Sequence, residues 1–324
     1  MAFVFFLLYL VLTYIRPFEF YPELAHYRLM LVVGTVGLLV TVGSLPFTRF
    51  SFRAKQIPLL AGFALWIALS RIFALHWIGG GIDALSTFSI TLVLFVLAVF
   101  SLQGERAVRT ALTAVVLLSL VLVVQAFLAV NFGTFRNLLV LTETQASGLV
   151  VERARGTGFM KDPNDLAQSL VIAIPFVALW WRRGSPLENL FRVVIPTGIL
   201  LYGIYLTRSR GAVVSLLVIL FVTLRPKLGA FMSSFAVAGA VIGMLALTIG
   251  GRGFGMDQSA ANRLEAWSIG LQLLKQHPLS GVGFGMFHDF NELTAHNSFV
   301  LCFAELGFPG YFIWTSLLAI TLLE

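Results

Sequence analysis

The chain has 324 residues, of which 58% are hydrophobic and 11% charged, with a mean hydropathy of +0.92. Soluble domains carry about 25% charged residues, so the composition excludes a soluble globular protein and specifies an integral membrane protein. The net charge of +7 comes from basic residues scattered through loops, a pattern that membrane orientation explains and that gives no reason to expect a nucleic-acid partner.

Residues 2–15 are apolar, without a basic stretch before them or a small-residue cleavage site after them. They read as a first span rather than a removable signal peptide. Further apolar runs follow at 29–47, 57–78, 83–102, 108–132, 164–181, 190–207, 211–224, 229–250 and 308–323. At ~20 residues per span, these runs predict an all-α, polytopic helical membrane protein. It has about ten transmembrane helices, joined late in the chain by a long helical loop at 251–307. The alternating ten-residue segments of a transmembrane barrel are absent. Cys302 is the only cysteine, so neither an internal disulfide nor a cysteine-ligated metal cluster is expected.

Orientation follows from the short connections. Arg49, Arg53, Lys55, Arg106, Arg109, Arg182, Arg183, Arg192, Arg225 and Lys227 fall in one alternating set, opposed only by Glu105 and Glu188. That set faces the cytoplasm, and the N-terminus with it. The opposite set holds the longer connections at 16–28, 133–163, 207–211 and 251–307, where acids and bases nearly balance. Arg155, Arg208, Arg210 and Arg263 are therefore outward arginines that topology does not require. The chain stops at Glu324 directly after an apolar run, so either the natural protein continues or this is a short member of its kind.

Four outward segments carry candidate chemistry. The first is 155–164, where Asp162-Pro163-Asn164 predicts a turn and a helix start. Arg155 carries no such duty in the sequence and is positioned to reach an anion at the outer surface. Thr207-Arg208-Ser209-Arg210-Gly211 is a tight turn that pins Arg210 near the bilayer boundary. A guanidinium there can give a lipid phosphate two parallel hydrogen bonds, although a snorkelling arginine, or one complementing a helix C-terminus, would look the same.

A helix is expected from about Ser259 to Gln276, with Leu264, Trp267, Leu271 and Leu274 as one apolar stripe suited to packing and to the membrane interface. Arg263 lies on another face. Gly281, Gly283 and Gly285 follow no predicted strand, which argues against a nucleotide loop. His296 is expected near the outer surface, on a short helix before a break at Gly307, Pro309 and Gly310. It is either a proton acceptor, since histidine titrates near neutral pH, or a capping or packing residue. His288, Glu292 and His296 are spaced four apart, but this is not the His-Glu-x-x-His zinc pattern, and no metal site is expected. Glu305 reads as a proton relay or as the partner of an outward arginine.

Together these segments resemble the O-antigen ligase and polymerase superfamily. Its shared region reads as an Arg–Gly–(Pro-Asn) element, a Ser-Arg-Gly turn, an Arg-x-x-Trp helix, a Gly-x-Gly-x-Gly stretch, and a His-Asn helix followed by Glu-x-Gly-x-x-Gly. Here these occur in order at 155–164, 209–211, Arg263 with Trp267, 281–285, His296-Asn297 and 305–310. Trp267 stands one residue further from the arginine than in the family pattern. Tyr14-Ile15-Arg16-Pro17 is also similar to some members. The match covers about residues 150–315, and members commonly have about twelve spans.

The resemblance divides the chain into N-terminal transmembrane helices at 1–132 and a catalytic region at 133–324. It implies an inverting, metal-independent glycosyltransferase of the bacterial inner membrane, without a cofactor and with its active site on the periplasmic face. The donor would be a glycan on undecaprenyl pyrophosphate, and the acceptor a lipid, a glycan or a protein. Arg155, Arg210 and Arg263 would bind the pyrophosphate. His296 would be the general base, supported by Asn297 and Glu305. The competing reading is a small-anion transporter. That reading calls for ionisable residues at mid-membrane, where Arg71 and His76 are the obvious candidates, both towards the outer end of their span.

Overall fold

In the computed structural model, residues 1–44, 55–144, 150–248 and 258–323 are described. Helices dominate. They are α1 (Ala2–Ile15), α2 (Leu29–Ser44), α3 (Gln56–Leu75), α4 (Ile78–Ser101), α5 (Glu105–Phe132), α6 (Pro163–Val177), α7 (Ile195–Thr207), α8 (Arg210–Thr248), α9 (Gln258–Gln276) and α10 (Ser298–Leu323). Among the described residues, eight helical stretches are long and apolar enough to cross a membrane. The all-α polytopic expectation therefore holds. The expected runs at 211–224 and 229–250 form one kinked helix, α8, whose backbone leaves helical geometry at Gly229. Pro226 lies just before that point, and a proline removes one hydrogen bond of the helix ladder. The end of the second run lies outside the described residues.

One element was not expected. Strands β1 (Val140–Thr144) and β2 (Val150–Ala154) pair antiparallel, with Val140 opposite Ala154 and Thr144 opposite Val150. Both strands are rich in β-branched residues, which suit a pleated surface.

The chain forms two compact units. The first comprises residues 1–44 and 94–252, the second 45–93 and 253–324. In the first, α5, α6 and α7 meet around a core that includes Val123, Leu170 and Leu200. Gly203 of α7 sits where a Cβ would collide with Val123 and Leu170. A small residue is what lets helices approach so closely.

In the second unit, α10 packs on α3 and on α9. Its backbone breaks at Gly307 (φ 64°, ψ −169°), as the glycine and proline at this point predict. The contacts of α9 differ from the expected leucine stripe. Ala266, Gly270 and Leu273 are buried, whereas Leu264 and Leu271 are exposed. The reason is steric: a Cβ at Gly270 would clash with Val300 of α10, so the small-residue face docks and the leucines face outward.

Candidate functional site

In the first unit the site is built on a buried arginine that sequence reasoning passed over. Arg153 of β2 is 8% exposed. Its Nε donates to the Thr207 carbonyl at 3.0 Å, its Nη1 to Glu143 at 3.1 Å and its Nη2 to Asn164 Oδ1 at 3.1 Å. The same Asn164 oxygen accepts the Ser209 hydroxyl at 2.8 Å. Ser209 Oγ in turn accepts the Ala212 N–H at 3.3 Å, capping the first turn of α8.

One guanidinium thus ties the hairpin, the start of α6 and the α7–α8 turn together. The Thr207 carbonyl is one of the orphan acceptors that end a helix. Arg153 satisfies it, a duty the sequence had offered to Arg208 or Arg210. Those two arginines are exposed on either side of the buried Ser209, and Arg208 takes the left-handed conformation that closes α7. Asp162 caps α6, accepting the Asn164 N–H at 2.7 Å, with Pro163 at the first helical position. This is the predicted helix start, but the Asn164 side chain serves the arginine network rather than the cap.

Arg155 does have a structural duty, contrary to expectation. Its Nε donates to the Leu138 carbonyl and its Nη2 to the Asn137 carbonyl, both at 3.0 Å. It closes the short helical turn Arg136–Leu139 that precedes β1. The segment after it is held by Glu19, which accepts the Gly158 N–H at 3.1 Å and Arg16 Nη1 at 3.0 Å, with Lys161 Nζ at 3.6 Å. The Arg16-Pro17 end of α1 and the glycine-rich 155–161 segment, two separate parts of the sequence resemblance, therefore share one carboxylate.

In the second unit two glycine motifs form a single joint. The break in α10 frees backbone groups, and Pro309 has no N–H to offer the Glu305 carbonyl four residues back. The carbonyls of Ala304 and Glu305 instead accept Val282 N–H and Gly283 N–H, each at 3.0 Å, and Phe308 N–H donates to the Pro278 carbonyl at 2.9 Å. The indole of Trp66 on α3 donates to the Leu306 carbonyl at 2.8 Å.

Glu305, buried, accepts Gly285 N–H at 2.9 Å and Phe287 N–H at 3.2 Å. It makes no ion pair among the described residues and so is a clamp on the loop, not the partner of an outward arginine. The N–H groups of 282–287 are taken up by α10, by Ser70 of α3 and, for Met286, by the loop itself, so none is left to cradle a phosphate. Gly281 and Gly307 are required by contact: a Cβ on either would run into the backbone of Glu305 or Leu279.

His296 is exposed and adopts a left-handed conformation (φ 47°). It lies before α10 and not on a helix, which corrects the expectation. The 288–296 segment is a 3-10 turn at Phe287–Asp289 followed by loop, so His288, Glu292 and His296 do not line one helix face. Asn297 caps α10, its Oδ1 accepting Phe299 N–H at 3.0 Å and Val300 N–H at 3.4 Å. Trp267 ties α9 to this segment, its indole donating to the Ala295 carbonyl at 2.8 Å. Arg263, exposed, is one helical turn before Trp267 on the same face. The helix that carries Arg263 is thus tied, through Trp267, to the residue before His296. Glu305 serves a different part of the unit.

The turn with Arg210, α9 with Arg263, the glycine loop, His296 and the break in α10 all fall within residues 195–315, which match the family described as O-antigen ligase. No curated protein and no solved structure matches the chain. With its membrane-spanning helices, the chain is a multi-pass membrane protein whose residues 195–315 are similar to the O-antigen ligase family.

Proposed function

We propose that the protein transfers a glycan from undecaprenyl pyrophosphate to an acceptor hydroxyl on the periplasmic face of the inner membrane, with inversion and without a metal. The similarity of residues 195–315 to the O-antigen ligase family supports glycosyl transfer of the ligase or polymerase type. The observation that carries the finer reading is the 207–210 turn. It presents exposed Arg208 and Arg210 on a scaffold of buried hydrogen bonds, with Thr207 0% and Ser209 3% exposed.

A fixed cation of this kind stabilises charge as it develops on a leaving pyrophosphate. In the proposed step the acceptor oxygen attacks the anomeric carbon opposite the pyrophosphate. The bond from that carbon to the pyrophosphate oxygen breaks, and the pyrophosphate leaves with the electron pair. The acceptor proton passes to His296, a task typically worth about 10²–10⁴-fold. Arg210 and Arg263 bind the pyrophosphate. Arg155, already engaged with the Asn137 and Leu138 carbonyls, contributes through its remaining capacity and by holding its loop.

The test is a transfer assay on protein reconstituted with a lipid-pyrophosphate glycan, with and without a chelator, beside His296→Asn. Asparagine tolerates the left-handed backbone found at this position, so this variant isolates the imidazole. Chelator-resistant release of the lipid pyrophosphate, lost in His296→Asn, is the expected result. Equal release by both proteins would remove His296 from the reaction. Anion uptake without any release would favour the transporter.

A further inference from the structure

The most unusual charge in the second unit belongs to Arg71, one turn from the end of α3. Residues of α3 hold the glycine loop: Ser70 Oγ accepts the Phe284 N–H at 3.4 Å, and Trp66 holds the α10 break. Arg71 is different. Among the described residues its one hydrogen bond, from Nη1 to the Phe284 carbonyl, is 3.4 Å long, and its Nε is sealed from solvent without a partner there. Its outer Nη2 is not among the sealed atoms. Among the described residues Arg71 forms no ion pair. Glu305 lies near enough to feel its charge, but the two oxygens of Glu305 hold the Gly285 and Phe287 N–H groups instead.

A guanidinium kept partly out of water, with the nearby Glu305 carboxylate already engaged by two N–H groups, is costly to hold. A purely structural role does not account for it: a neutral donor would serve the Phe284 carbonyl equally well without a charge to desolvate. The loop beside it contributes no competing cradle, because the N–H groups of 282–287 are committed to α10, to Ser70 of α3 and, for Met286, to the loop itself. The exposed Gly285 lies next to Nη1, where even a Cβ would stand only 3.8 Å away. The surface over the guanidinium is thus open and free of side-chain cover from that residue. An anion arriving there would meet a pre-positioned fork of donors.

We propose that Arg71 is a further binding residue for a lipid-linked phosphate, taking an oxygen of the donor pyrophosphate at the edge of the 281–285 loop. This assignment rests on the glycosyl-transfer reading above. It makes the end of α3 part of the donor site, a contribution from outside the 195–315 domain.

The experiment titrates the full chain in detergent with undecaprenyl pyrophosphate, and in a second arm with phosphatidylglycerol. Wild type, Arg71→Gln and Arg71→Lys are compared. The buried Cys302 reports folding of this unit through its resistance to a maleimide. The expected result is carrier affinity weakened about ten- to hundredfold in Arg71→Gln, the usual cost of losing a hydrogen bond to a charged group. The loss should be smaller in Arg71→Lys, which keeps the charge but not the fork, and phosphatidylglycerol binding should be unchanged.

Unaltered carrier affinity in both variants would overturn the assignment to Arg71 while leaving the glycosyl-transfer reading intact. Equal weakening in the two arms would overturn the donor assignment in favour of an ordinary headgroup site. Failure of the wild type itself to bind the carrier would bring down the glycosyl-transfer reading and the Arg71 assignment with it. If Arg71→Gln exposes Cys302, the comparison rests on Arg71→Lys, for which unchanged carrier affinity is again the refuting result.

Discussion

Replacing Arg153 with methionine keeps most of the aliphatic stem in place and removes the guanidinium. Three acceptors then lose a donor. The Thr207 carbonyl ends α7 on a residue that is 0% exposed, and leaving such a group unsatisfied costs about 1–3 kcal/mol. Asn164 Oδ1 keeps the Ser209 hydroxyl but loses a charge-assisted bond worth about 1.5–3 kcal/mol. The Glu143 side chain is 40% exposed, so solvent screens that pair and its contribution is at most about 1 kcal/mol.

These losses overlap, because all three partners belong to one network. A local destabilisation of about 3 kcal/mol is the reasonable central value, corresponding to about a hundredfold increase in local opening. Hydrogen–deuterium exchange read by mass spectrometry on peptides covering 205–214 measures this directly, since the Ser209 and Ala212 N–H groups donate within the affected turn. Exchange in those peptides at the wild-type rate would refute the claim that Arg153 holds the turn.

Gly307→Ala should disrupt the second unit, because the new methyl would meet the carbonyls of Leu279 and Pro278 at a backbone with φ 64°. Reaction of the otherwise buried Cys302 with a maleimide is the readout, and an unreactive thiol in the variant would count against the joint. Glu305→Ala removes the acceptor of two buried-loop N–H groups. It should speed exchange at Gly285 and Phe287 by about ten- to hundredfold, with little change at the Val282 and Gly283 N–H groups held by main-chain carbonyls. Uniform acceleration across 281–287 would show that the carboxylate holds the whole loop rather than its far end.

The helices were legible because their signals are local. Apolar runs, a proline and glycine break, and an Asp-Pro-Asn start each act within a few residues, and each occurs where expected. Arg155, Arg208, Arg210 and Arg263 stood out in the sequence as a set because the expected topology did not require them. Their individual duties did not. Arg153 reaches a carbonyl 54 residues away, and Arg155 reaches back 17 and 18 residues. No periodicity encodes such distances. The hairpin carried a signal in its β-branched residues, but it was short beside the neighbouring spans. Glu305 was read by its charge, whereas its role follows from the helix break two residues on, which brings the glycine loop against it.

The joint between the glycine loop and the broken helix is made mostly of main chain. Main chain is the same whatever the side chain, so the joint's own demands fall on positions that must lack a Cβ or an N–H, Gly281, Gly283, Gly307 and Pro309, and on the Glu305 carboxylate. The intervening side chains are restricted for a different reason: Val282 is buried with Met286 against one apolar cluster, and Phe284 packs on another. A scaffold of this design divides its demands: backbone fit sets the glycines, and apolar packing sets the residues between them.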